Sequence, residues 1–196
     1  MTTLVVATGN PNKVREMQAY LIDTHWEPVL KPDSIEVEET GTTFMANAQL
    51  KASQVAAATG QWSIADDSGM AVEALNGAPG LYSARYAPTP KEAIERVLRE
   101  MENETNRHAK FICALAVADP TGAIVLQAEG VCEGEVLTAP RGSGGFGYDP
   151  ILYVPEYQMT FAEMPPDLKH QVSHRGLAFA VLLPQLRSLH EEIGRS

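Results

Sequence analysis

The run IADDSG sets two adjacent aspartates, Asp66 and Asp67, directly after the apolar residues Ile64 and Ala65. Acids beside an apolar strand are costly without a partner. Carboxylates at a strand end, aimed at a cleft, are what a hard cation such as magnesium needs. A simple turn is the alternative. A second acidic pair, Glu38 and Glu39, stands in VEETG; taken alone it reads as a solvated edge. Near the N-terminus TGNPNK (Thr8, Gly9, Asn10, Pro11, Asn12, Lys13) comes straight off the apolar run LVVA. A helix starting there would offer free backbone N–H groups and positive dipole character to an anion, with Lys13 one turn in. It lacks the longer glycine loop and the Ser or Thr after lysine that a P-loop needs. A phosphate-holding turn and an ordinary capped helix both fit.

Two further runs bring ring-binding and cationic chemistry. RGSGGFGYDP carries four glycines, Gly147 among them, beside Phe146, Tyr148 and Asp149. Such a loop lets backbone approach a ligand closely, and its aromatics can stack on a flat ring such as a nucleobase or pack inward. KHQVSHRG places Lys169, His174 and Arg175 near a helix start, where they can take phosphate and carbonyl groups. His170 and the remaining histidines receive no role.

Composition removes several function classes. The 196 residues are 44% hydrophobic and carry a formal net charge of −10. That surface repels a nucleic-acid polyanion on average, whereas a few local cations or a metal can still hold a small anion. The two cysteines, Cys113 and Cys132, lie in apolar runs with no CxxC spacing, so they read as core residues. No basic-then-apolar leader and no bilayer-length apolar stretch is present, which fits a cytoplasmic, non-membrane protein. No Ser-His-Asp or Cys-His arrangement can be assigned, and HExxH, GxSxG and Rossmann fingerprints are missing.

The elements that must position these groups are partly readable. TLVVAT reads as a buried strand. The helix after it is capped by Asn10 with Pro11 at its first position, and Val14, Met17 and Leu21 share a face. TTFMANAQLKASQVAAATG is a strong helix, capped by Thr42 or Thr43 and ended by Gly60, with Asn47 and Lys51 on one face. WSIADDSGMAVEAL reads as two short strands broken at DDSG. PKEAIERVLREME is an amphipathic helix. AKFICALAVADPTGAIVLQAEGVCEGEVL reads as two long strands joined at DPTG. In the closing helix, Pro184 is expected to bend or break it. The pattern is α/β or α+β.

The order of the motifs is more specific than any one of them. TGNxxK, EETGxTFxxNAxLKA, ADDSGxxVxALxGxPGxYSARY, GGFGYDPI, TxAEM and SHRG follow in series from about residue 4 to the closing helix. This series resembles the inosine triphosphate pyrophosphatase family. The resemblance implies a mixed α/β fold with an elongated central mixed sheet and flanking helices. It implies one domain over 1–196, made of two lobes around a substrate cleft. It implies a cytoplasmic homodimer that needs Mg2+. It also implies hydrolysis of ITP, dITP and XTP to the monophosphate and pyrophosphate, with ATP and GTP refused.

Carried over by motif, Thr8 to Lys13 form the phosphate turn. Glu39 and Asp67 ligate the metal, and Asp67 is the general base with Asp66 assisting. Ser68 contacts substrate. Lys51 and Lys169 face the triphosphate. Phe146 and Tyr148 stack on the base, with Gly147 and Asp149 completing the loop, and His174 and Arg175 read the purine. Truncating Arg175 is then expected to cost activity far more than stability. The chain departs from the family pattern at His170, where a small polar residue is common, and in a shortened segment after YSARY. The competing readings are a pyrophosphatase for pyrimidine or other nucleotides of Maf-like architecture, a non-catalytic nucleotide-binding module, and a scaffold protein.

Overall fold

The computed structural model describes residues 1–195. In chain order it contains β1 (Thr2–Val6), α1 (Pro11–Leu21), β2 (Trp26–Leu30), α2 (Phe44–Thr59), β3 (Trp62–Val72), α3 (Pro90–Glu100), β4 (His108–Ala118), β5 (Ile124–Val136), β6 (Leu152–Val154), β7 (Met159–Thr160), α4 (Pro166–Val172) and α5 (His174–Ile193). The strands form one seven-stranded sheet in the order β2-β1-β3-β4-β5-β6-β7. β1 runs parallel to β2 and β3, while β6 is antiparallel to β5 and β7. The sheet is therefore mixed, as the fold class predicts.

Internal contacts divide the chain into two units: Met1–Asp67, Cys113–Gly130 and the chain from Gly176 form one, and Ser68–Ile112 with Val131–Arg175 form the other. In the first unit the two-residue period of a strand sorts side chains into two cores. Leu4, Val6, Ile64 and Leu115 pack with Val14, Met17 and Leu21 of α1 and with Phe179, Leu182 and Leu186 of α5. Val5, Ala7, Ala65, Ala114 and Ala116 pack with Ala48, Ala52, Val55 and Ala56 of α2. Strands buried on both faces read as continuous apolar runs, which is how LVVA and ALAVA appear. The second unit has its own core of Met70, Val72, Val97, Met101, Phe111, Ile151, Leu152 and Phe161.

The helix ends follow the sequence. Asn10 caps α1, its side chain accepting from the Asn12 N–H at 3.0 Å, with Pro11 in the first turn. Of the two candidate caps of α2, Thr43 is the one used, accepting from the Ala46 N–H at 3.0 Å, and Gly60 closes the helix at φ 65°. Only a residue tolerant of the left-handed region fits there.

One expectation is corrected, and of the two outcomes expected at Pro184 one is removed. DDSG does not break the strand, since β3 runs unbroken from Trp62 to Val72 with the aspartates inside it. Pro184 does not break α5, which continues from His174 to Ile193. Leu182 and Leu186, both fully buried on either side of the proline, anchor the helix where its missing donor weakens it. β2, β6 and β7 carried no strand signal in the sequence reading. β2 has Pro28 at its centre and lies at the sheet edge, the position where proline is tolerated.

Candidate active site

The alternation that sorts the cores also separates the two aspartates. Asp66 follows the phase of Ile64 and Asp67 that of Ala65, so neighbouring acids leave β3 on opposite faces. Asp66 is fully buried and ion-paired with Lys13 Nζ, and its other oxygen accepts from the Cys113 thiol at 3.0 Å. The Lys13 that the sequence sets one turn into α1 is therefore held by an acid of β3. The turn before it is locally closed, with the Thr8 hydroxyl accepting from the Asn10 N–H at 3.2 Å. Gly9 has no chain atom within 4 Å of where a Cβ would sit. The fold itself leaves that space open.

Asp67 belongs to the α2 face. Lys51 Nζ lies 3.0 Å from Asp67 Oδ1 and 2.8 Å from Glu39 Oε1. The other aspartate oxygen, Oδ2, accepts from the Asn47 amide at 3.2 Å. Asn47 and Lys51 are one turn apart on α2, so one helix face serves both oxygens. Of the VEETG pair, Glu38 is exposed and only Glu39 turns in.

Burial is the larger influence on Asp67 and pushes its carboxyl above the ordinary value of 3.8, against the pull of Lys51. For Lys51 burial works against the charge, but Asp67 and Glu39 outweigh it and hold the ammonium above its ordinary value of 10.5. A carboxylate moved toward neutral pH is better matched to accepting a proton.

Two carboxylates from separate segments thus converge on one positive atom. Three acids, Glu39, Asp66 and Asp67, and two ammonium groups, Lys13 and Lys51, take part in these ion pairs. That donor set fits a hard divalent cation, which takes oxygen ligands and commonly uses one or two protein carboxylates, the rest coming from water and phosphate. Glu39 and Asp67 are the residues that would hold it.

The remaining sequence candidates lie in the second unit. Asp149 is buried, and its Oδ2 accepts from the Phe146 N–H at 2.8 Å and from Lys169 Nζ at 2.7 Å. Gly145 stands at φ 69°, and a Cβ there would collide with Asp149 Oδ2. The glycine is what lets the carboxylate close the loop. Lys169 Nζ lies 5.0 Å and Arg175 Cζ 5.9 Å from the centre of the half-buried Phe146 ring. Gly147 follows at φ 58°.

Tyr148 is placed differently from a stacking surface. Its ring is buried in the unit's core and its hydroxyl donates to the Ser83 carbonyl at 2.9 Å. His174 is buried in a stack with Phe111, ring centres 4.7 Å apart. Arg175 is only 1% exposed and donates to Ser68 Oγ at 3.1 Å. Its burial corrects the expectation for truncation. Removing a fully buried guanidinium leaves a large void, so Arg175→Ala is expected to lower the melting temperature markedly.

Sequence reasoning gave no site role to Asn47 or Cys113, each of which touches an aspartate of the site. The Asn47–Lys51 spacing was a usable signal for the first. A lone cysteine in an apolar strand gives no such signal for the second.

The fold and the site define a mixed α/β protein with a buried carboxylate–lysine cluster and a glycine-rich loop closed by its own aspartate. The chain belongs to the Ham1 family, whose model matches residues 4–185. It is similar to a protein of Nostoc sp. named dITP/XTP pyrophosphatase, 64% identical over 186 residues that cover 95% of each chain. A Synechocystis sp. protein of the same name is 57% identical and covers 94% of this chain and 95% of its own. A solved HAM1 protein from Coxiella burnetii superposes with a TM-score of 0.88 at 42% identity, over 96% of this chain and 100% of that one. The family resemblance and the fold class read from the motif series are both borne out.

Proposed function

We propose that this chain hydrolyses the non-standard purine nucleoside triphosphates ITP, dITP and XTP to the monophosphate and pyrophosphate. The observation that carries the reading is the Glu39–Lys51–Asp67 cluster, in a chain 64% identical over 186 residues to a protein named dITP/XTP pyrophosphatase. The proposed cofactor is Mg2+ held by Glu39 and Asp67. When bound it supplies positive charge to phosphate oxygens and acidifies water.

The chain's own groups do the rest. Asp67 accepts the proton of the attacking water, a role its raised carboxyl suits. Lys51 and Lys13 neutralise charge gained by the departing pyrophosphate, joined by Lys169. Thr8 to Lys13 cradle a phosphate, and the open space at Gly9 suits that. On the base side, the half-buried Phe146 offers a stacking face. Gly147, Tyr148 and Asp149 hold its loop, and Ser68, His174 and Arg175 read the purine edge. A donor such as Arg175 favours a 6-oxo group that accepts, where adenine would donate.

We further infer a homodimer in the cytoplasm with a small-molecule partner and no nucleic-acid partner. Among the described residues no helix is long and apolar enough to cross a membrane. Phosphorus NMR of ITP turnover should give inosine monophosphate and pyrophosphate as the first products. Inosine diphosphate with inorganic phosphate would refute the bond assignment.

A further inference from the structure

Asn47 is 2% exposed and uses both ends of its amide. Oδ1 accepts from the Gly41 N–H at 2.8 Å, and Nδ2 donates to Asp67 Oδ2 at 3.2 Å. The partners fix the amide's orientation. A backbone N–H needs the oxygen and a carboxylate needs the NH2. Gly41 lies two residues after Glu39 in the same loop, so this one side chain spans the loop that carries Glu39 and the strand that carries Asp67.

Gly41 fits the same account. A Cβ there would come within 2.6 Å of Asn47 Oδ1, 2.8 Å of the Ala46 Cβ and 2.9 Å of the Asn47 nitrogen. Only a residue without a side chain lets the loop approach this closely. The amide also divides the aspartate, taking Oδ2 and leaving Oδ1 to Lys51, which also donates to Glu39.

We infer that Asn47 is a positioning residue that fixes the spacing and orientation of Glu39 and Asp67 as a cation-binding pair. The inference rests on the reading under Proposed function. Groups that orient metal-binding carboxylates typically cost about 10–100-fold in metal affinity or activity when removed.

The test compares wild type, Asn47→Ala and Asn47→Ser by Mn2+ titration of the nucleotide-free protein, read by electron paramagnetic resonance. Steady-state ITP kinetics are run well below each variant's melting temperature. Serine is shorter and has a single oxygen in place of the separate Oδ1 and Nδ2 that bond Gly41 and Asp67, and it covers the case in which alanine fails to fold. Expected for the folded variants is a loss of roughly 10–100-fold in Mn2+ affinity and in kcat, with the KM for ITP within about threefold of wild type.

A purely structural role would lower melting temperature and leave kcat and Mn2+ affinity of the folded fraction within about twofold. That result overturns the inference, as does loss of folding in both variants. A wild type that binds Mn2+ but does not cleave ITP refutes the proposed function alone. The positioning role is then decided by the Mn2+ titrations. A wild type that binds no divalent cation overturns both.

Discussion

Asp67→Asn is expected to lower kcat for ITP by roughly 10²–10⁴ while leaving the fold intact. The amide has the shape of the carboxylate and a single oxygen. It can accept from Asn47 or from Lys51, which now share Asp67 through Oδ2 and Oδ1, and it cannot take a proton from water. Lys51 keeps Glu39. The stability of the cation-free protein supplies a second reading of the same variant. Burial raises the Asp67 carboxyl above 3.8. A raised acid contributes stability below its unfolded value and loses it as pH rises through the folded one. The wild-type melting temperature should therefore fall relative to Asp67→Asn across the weakly acidic range. A gap that instead widens in favour of wild type as pH rises would contradict the assignment of burial as the dominant influence. Near-normal turnover would remove Asp67 from the role of base.

Lys51→Met should be the most destabilising change at the site, and the damage should be repaired by metal. The lysine side chain is 11% exposed and its partners Asp67 and Glu39 are 10% and 26% exposed. Removing one partner from such a buried cluster leaves uncompensated charge and typically costs about 3–5 kcal/mol. For a chain of this size each kcal/mol moves the midpoint by about 2–4 °C. A divalent cation on the two carboxylates that lose Lys51 supplies the missing positive charge, and at hundredfold excess over its Kd returns about 2.7 kcal/mol. Calorimetry with and without Mg2+ checks this. A variant as stable as wild type, or one that Mg2+ fails to raise, would mean that the pair is no cation site. Turnover should remain low even with metal, because in the proposed mechanism Lys51 also neutralises the leaving group.

Much of this was legible in the residues, for local reasons. The caps of α1 and α2, the two-sided burial of β1 and the amphipathic α3 follow from short-range chemistry. DDSG was misread as a break because two acids, a serine and a glycine in a row normally leave a strand. They stay inside β3 because Lys13, Cys113, Lys51 and Asn47 partner the two acids. Those partners come from elements distant in sequence, which no window around DDSG contains. At the prolines, too, the surrounding packing decides. Pro184 sits in a helix held by Leu182 and Leu186, and Pro28 in an edge strand. In the glycine-rich loop, the sequence left open whether the aromatics face a ligand or the core. The structure divides them, with Phe146 half-buried and Tyr148 in the core. Asp149 was grouped with the base-binding loop; its pairing with Lys169 and the Phe146 N–H makes it the residue that closes that loop.

The central claim is the choice of substrate, and pyrophosphate release from ITP, dITP, XTP, GTP, ATP, dUTP and dTTP, each with and without Mg2+, tests it most directly. The account predicts fast, Mg2+-dependent release from ITP, dITP and XTP, with the others slower by roughly ten- to hundred-fold or more, the discrimination that an unsatisfied buried polar group provides. Turnover confined to pyrimidine or standard purine nucleotides, or no turnover of any of them, would contradict it.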